Sequence, residues 1–89
     1  MRAVITVLGK DMVGILAKVS TKCAEYDVNV IEVTQSVLQD LFAMIMMVDI
    51  SKSSVPFDEL VDSLKAMGEE MGMTVHVMHE DIFNSMHRI

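Results

Sequence analysis

The side chains able to do chemistry are few, and most stand alone. His76 and His79 invite a metal-site reading, because closely spaced imidazoles often begin one. They lie in Met73–His79, an apolar, β-branched stretch that predicts a strand. Residues three apart on a strand point to opposite faces, so the two rings cannot hold one ion within a chain. His87 falls in the terminal segment, where the sequence does not place it. Cys23 is the only cysteine, which excludes an internal disulfide and any paired-cysteine metal motif. It sits on the apolar side of a helical stretch and reads as a small buried hydrophobe rather than a nucleophile. No Ser/His/Asp grouping, carboxylate pair or phosphate loop is legible. The expectation is a protein with no catalytic residues, no metal and no cofactor.

Binding chemistry is better represented than catalysis. In Gly9-Lys10-Asp11-Met12-Val13-Gly14-Ile15-Leu16, Asp11 stands where a helix N-cap is expected, its carboxylate accepting the free N–H groups of the first turn. Gly14 then falls in that first turn, where glycine costs about 0.5–1 kcal/mol relative to alanine. Either the helix packs closely on a strand there, or the missing side chain lets a ligand approach the backbone. The orphan amides and the dipole at a helix start both favour a carboxylate. Asn29, at the start of the next strand, either satisfies local backbone groups or contacts a ligand.

Six elements are needed to position these residues. Arg2–Leu8 is a β-branched run closed by Gly9, a strand and turn. Ile15, Leu16, Val19 and Cys23 repeat at helical spacing, with Lys18, Lys22 and Glu25 outside. Val28–Leu38 and Leu41–Ile50 read as strands joined at Gln39-Asp40, a hairpin on an unfavoured turn pair or a longer loop. Pro56, Asp58 and Glu59 open a second helix, in keeping with its dipole. Phe57, Leu60, Val61, Leu64, Met67 and Met71 form its stripe, and Gly72 stops it. A strand over 73–79 follows, then a short helix over 80–89 with Ile82, Phe83, Met86 and Ile89 on one side.

Strand, helix, strand, strand, helix, strand, with right-handed crossovers, predicts an α+β, ferredoxin-like βαββαβ sandwich. The antiparallel sheet order is 4-1-3-2 with both helices on one face. Central strand three is apolar on both faces: Phe42, Met44, Met46 and Val48 on one, Leu41, Ala43, Ile45 and Met47 on the other. A partner or the segment with Ile82, Phe83 and Met86 must cover the second.

The bulk properties narrow the function. The chain has 89 residues, room for one domain, 1–89, with 80–89 as an extension. A domain this small is marginal without help, and its 52% hydrophobic content points to oligomerisation. A net charge of −6 argues against nucleic acid as a partner. No apolar run approaches the ~20 residues of a membrane helix and no signal-peptide pattern opens the chain, so a cytoplasmic protein with no membrane partner is expected. Other uses of the topology lack their residues. There is no first-loop arginine for phosphate, no CxxC for copper, and no aromatic on strand one to stack RNA bases.

The Asp11-Met12-Val13-Gly14-Ile15 loop, followed by Asp27-Val28-Asn29-Val30, resembles the ACT domain family, whose pattern is D-x-x-G-[IL] opening helix one and an Asn-Val/Ile pair starting strand two. The resemblance runs over residues 2 to about 80. More narrowly it extends to stand-alone bacterial ACT proteins related to the glycine cleavage system regulator. It implies a small-molecule regulatory domain, with an amino acid as the expected ligand and a regulated protein partner. The ligand-binding residues it implies are Asp11, Met12, Val13, Gly14, Ile15, Asn29 and Val30. Strands one and two run parallel, which leaves the loop and Asn29 at opposite ends of the sheet. An antiparallel homodimer through strand two would bring them together. The alternative is a structural or protein-interaction module of the same fold with no small-molecule ligand.

Overall fold

A computed structural model describes residues 1–10 and 14–86. The elements are β1 (Arg2–Gly9), α1 (Ile15–Glu25), β2 (Asn29–Leu38), β3 (Leu41–Asp49), α2 (Phe57–Glu70), β4 (Thr74–His79) and α3 (Glu80–Met86). The four strands form one sheet in the order β2-β3-β1-β4, with each neighbouring pair antiparallel. This is the expected ferredoxin-like sandwich.

Strand parity builds the core. Ala3, Ile5 and Val7 of β1 lie beside Val48, Met46 and Met44 of β3, and all six are fully buried. Onto this face α1 sets Ile15, Val19 and Cys23, and α2 sets Leu60 and Leu64. Leu16 departs from the expected inner stripe: it is exposed, because the buried side of α1 is narrow and runs through 15, 19 and 23.

Both helices end in the same way. At α2, Gly72 has φ +72°, and the amides of Gly72 and Met73 donate to the carbonyls of Glu69 and Gly68. At α1, Asp27 takes that left-handed position at φ +58°, and the amides of Asp27 and Val28 donate to Ala24 and Cys23. These are Schellman endings, in which a left-handed residue satisfies the last carbonyls. The β2–β3 hairpin closes on the two residues Gln39 and Asp40, Leu38 pairing with Leu41. Gln39 carries φ +57°, which is how a turn of unfavoured composition is made.

The second face is only partly covered. Val4 points away from the helices yet is 1% exposed, because α3 lies under it; Phe83 shares a small void there with Val4, Glu32, Thr34, Ile45 and Met47. An Arg2–Glu80 ion pair fixes the start of α3. The expected helix over 80–89 is described through Met86, and Ile89 lies outside the described residues.

Two consequences are measurable. Asp27→Gly removes the strain of a left-handed L-residue, about 1 kcal/mol, and should raise Tm by several degrees in a domain this size. Gly68→Ala should do the reverse despite alanine's helix propensity, since its Cβ would lie 2.4 Å from Val75 Cγ2. Overpacking of this kind costs about 1–3 kcal/mol. Equal Tm values for the two variants in a melting experiment would contradict both assignments.

Cys23 gives the second. It is fully buried, and burial pushes its thiol up to about 11. The folded state therefore prefers the protonated thiol. Its contribution is complete below the unfolded value near 8.5 and is lost as pH rises through the folded one, a difference of about 3 kcal/mol. Urea titrations should show stability falling between these limits, with the fall much reduced in Cys23→Ala.

Candidate functional site

The upper end of the sheet, where β1 finishes, carries the loop that leads into α1. Asp11, Met12 and Val13 lie outside the described residues. Gly14 is the N-cap of α1, which corrects both the expected cap at Asp11 and the placement of Gly14 inside the first turn. Its φ is +75°, and a Cβ built on it would meet no atom of the described residues within 4 Å. Close packing on a strand is therefore not why glycine stands here; the left-handed backbone is.

Among the described residues, no side chain caps the helix start that results. Its N-cap makes no side-chain hydrogen bond, its first turn holds no acidic residue, and the first amide with an intrahelical partner is that of Lys18, bonded to the Gly14 carbonyl at 3.0 Å. The preceding amides of α1 have no acceptor within the helix. Ile15 offers only its backbone, since its side chain is buried in the core.

Two residues not singled out from sequence stand at the same end of the sheet, Val37 being level with Gly9 through Phe42. Gln35 and Val37 share the helix-side face of β2, as their pairing with Met44 and Phe42 shows, yet both are exposed, Val37 at 53%. The helix layer stops short of the upper end of this edge strand. A polar and an apolar residue exposed on the inward parity of a strand is a signal readable only once the parity is known.

Asn29 and Val30 lie at the other end. Asn29 is exposed and pairs with Asp49, while Val30 is half-buried against the core. Gly9 pairs with Phe42, which pairs with Val37. Eight residues along β2 therefore separate Asn29 from the level of the loop, about 26 Å at strand rise. One subunit does not bring the two motifs together.

The lower end is held by fixed charges. The N-terminal ammonium donates to Ser51 Oγ at 2.7 Å and lies 3.8 Å from Asp49 Oδ1; the Ser51 amide donates to that oxygen at 2.9 Å. The Ser51 hydrogen bonds, above all, hold the Asp49 carboxyl below its ordinary value, with the ammonium adding to the effect. Nearby, Met1, Arg2, His79, Glu80, Asp81 and Ile82 line a concavity of about 530 Å³. Its guanidinium is already paired with Glu80 and Asp81 adds negative charge, so it is a poor receptor for a carboxylate.

The histidines behave as strand parity requires. His76 is exposed beside Thr6, whereas His79 faces the helices and stacks on Phe57 with ring centroids 4.1 Å apart. Among the described residues no three His, Cys, Asp or Glu side chains gather to hold a metal, and no helix is long and apolar enough to cross a membrane.

Comparison with known proteins accounts for this layout. The ACT domain family model matches residues 2–78. A UPF0237 protein of Listeria innocua is 47% identical over 89 residues, the full length of both chains. An ACT domain protein from Streptococcus pneumoniae superposes with a TM-score of 0.81 at 36% identity, over 93% of each chain. A candidate glycine cleavage system transcriptional repressor shares the fold, with a TM-score of 0.71 at 22% identity, over 85% of this chain and 43% of its own. The chain belongs to the ACT domain family, whose members are typically regulatory domains that bind small molecules.

Proposed function

We propose that this protein is a non-catalytic regulatory domain that binds a carboxylate-bearing metabolite, an amino acid being the class to test first, at the start of α1. Residues 1–89 act as one domain, with 80–89 as its extension, in the cytoplasm. The observation that carries the reading is the helix start at Gly14, which no side chain of the described residues caps, held at φ +75° with no atom of the described residues within 4 Å on its Cβ side. Amides without acceptors and the positive end of the helix dipole favour a carboxylate there. Asp11, Met12, Val13, Gly14 and Ile15 form the loop side of the site, and Gln35 and Val37 border it.

The second half of the site comes from another copy. β2 is an edge strand whose outer backbone groups have no strand partner among the described residues, and Glu32, Thr34 and Ser36 keep its outward face polar. Pairing two β2 edges antiparallel turns one subunit over. The partner's Asn29 and Val30 then come to the upper end of this subunit, and two equivalent sites form across an eight-stranded sheet. A regulated protein would read the occupied dimer.

Thermal melting against the common amino acids tests the ligand. A ligand at 100 times its Kd adds about 2.7 kcal/mol, a shift of ten degrees or more for this size. No shift with any of them would favour the structural module instead. Complementation tests the shared site. Asp11→Ala and Asn29→Ala should each abolish binding alone, and an equimolar mixture should regain about a quarter of the sites, because each mixed dimer keeps one intact pair. A mixture as silent as its components would rule out a site shared between subunits, and binding that survives Asn29→Ala would place Asn29 outside it.

A further inference from the structure

The inward face of β1 ends one side chain short. Ala3, Ile5, Val7 and Gly9 share that face, and the last of them gives the core nothing. The room is filled from the other end of the chain. A Cβ added to Gly9 would overlap Met73 Sδ and would lie 3.1 Å from Met73 Cε and 3.3 Å from Met73 Cγ. The thioether therefore rests against the Gly9 backbone where a side chain would otherwise stand. The register agrees, since Leu8 pairs with Thr74 and so puts Met73 beside Gly9 at the upper end of the sheet. The β1–β4 ladder stops at that pair, whereas on the β3 side Gly9 still pairs with Phe42. Gly9 thus has ladder support from one neighbour only, and the buried thioether adds a restraint from the helix face.

Met73 is itself held in place. Its amide donates to the Gly68 carbonyl at 2.8 Å in the Schellman ending of α2, and Gly72 at φ +72° sets the turn before it. In such endings the residue at this place often packs its side chain on the helix position whose carbonyl it binds. Here that position is Gly68, which has no side chain and lies against Val75. The methionine crosses to β1 instead, and an unbranched, polarisable thioether suits contact with bare backbone.

We infer that Met73 is a positioning residue for the helix start at Gly14. Gly9 is the last residue of β1, and from it the chain leaves the sheet for α1. By resting on Gly9, Met73 fixes where and in which direction the chain leaves, and so where the first amides of α1 stand. It acts through Gly9 and touches no ligand. The inference rests on the reading of that helix start as the carboxylate site, and it deepens that reading by tying the site to the end of α2. A site held to within about 0.5 Å needs such support from residues behind it.

The probe is whichever common amino acid raises the Tm of the native chain furthest, with its Kd measured by calorimetry. Met73→Ala should weaken binding about tenfold or more, while Met73→Leu, which keeps atoms at the δ position, stays within about twofold of the native chain. Val48→Ala also truncates the core, but at the lower end, and should lower Tm with the Kd unchanged. Gly9→Ala pushes the flexible thioether aside and should weaken binding as Met73→Ala does, but it should add nothing in a chain that already carries Met73→Ala. An unchanged Kd in Met73→Ala overturns the inference, as does an equal loss in Val48→Ala or a Gly9→Ala effect that persists without the thioether. If Met73→Ala fails to fold, Gly9→Ala against Met73→Leu carries the comparison. If no amino acid raises Tm, the ligand reading fails and the positioning is tested without one. Backbone order parameters at Gly9 and Lys10 should then fall in Met73→Ala or Gly9→Ala and hold in Met73→Leu and Val48→Ala. Values unchanged in every variant would overturn the inference on their own.

Discussion

Because β1 is hydrogen-bonded on both sides, its parity is fixed twice. Ile5 faces Met46 across one ladder and Val77 across the other. A slip of one residue in either pairing would turn Ala3, Ile5 and Val7 out of the core together. That ladder decides which face receives α1 and α2, and therefore which face goes without. It also sends the chain out of β1 at the upper end, so the loop and the start of α1 can lie nowhere else. The parallel run of β2 then begins at the lower end. The distance between Gly14 and Asn29 is thus a consequence of topology, not of how any loop happens to fold.

The sheet order, the helix stripes and the buried state of Cys23 were legible because each rests on periodicity, which the sequence displays directly. Strand three was apolar at every position from Leu41 to Val48, and the structure divides it as expected: Phe42, Met44, Met46 and Val48 inward, the rest outward. What periodicity does not encode is a backbone conformation at a single residue. Asp11 looked like a cap because of its type, yet the chain turns into the helix only at Gly14. Gln39 and Asp27 adopt left-handed conformations that neither composition nor spacing announces. Gln35 and Val37 escaped notice for a related reason. Their parity places them inward, and only the extent of the helix layer shows that inward is exposed there.

α3 illustrates how a short segment changes the balance of a marginal domain. It is seven residues long and buries none of its own side chains completely. Its effect falls on Val4, which would otherwise be a valine on an open sheet face. The Arg2–Glu80 pair and Phe83 hold it across the lower half, one at the start of the helix and one at its middle. The cover is partial: Leu8, Leu41 and Ile45 on the same face each keep 42% exposure.

Two ends with opposite chemistry follow from the same arrangement. At the lower end the ammonium of Met1, Asp49, Arg2 and Glu80 are paired with one another and with Ser51, so the charges there are spent on internal partners. At the upper end the start of α1 offers amides that no side chain of the described residues caps. A ligand attracted to those amides meets, on the proposed arrangement, a second subunit across the β2 edge. Any molecule bound by both copies and by neither alone must strengthen their association by as much as association strengthens its binding. Occupancy is then expressed as a change in assembly, which requires no movement within the sheet. A rigid ladder fixed by the parity of β1 suits that use, since the information passes through the edge strand and not through the core.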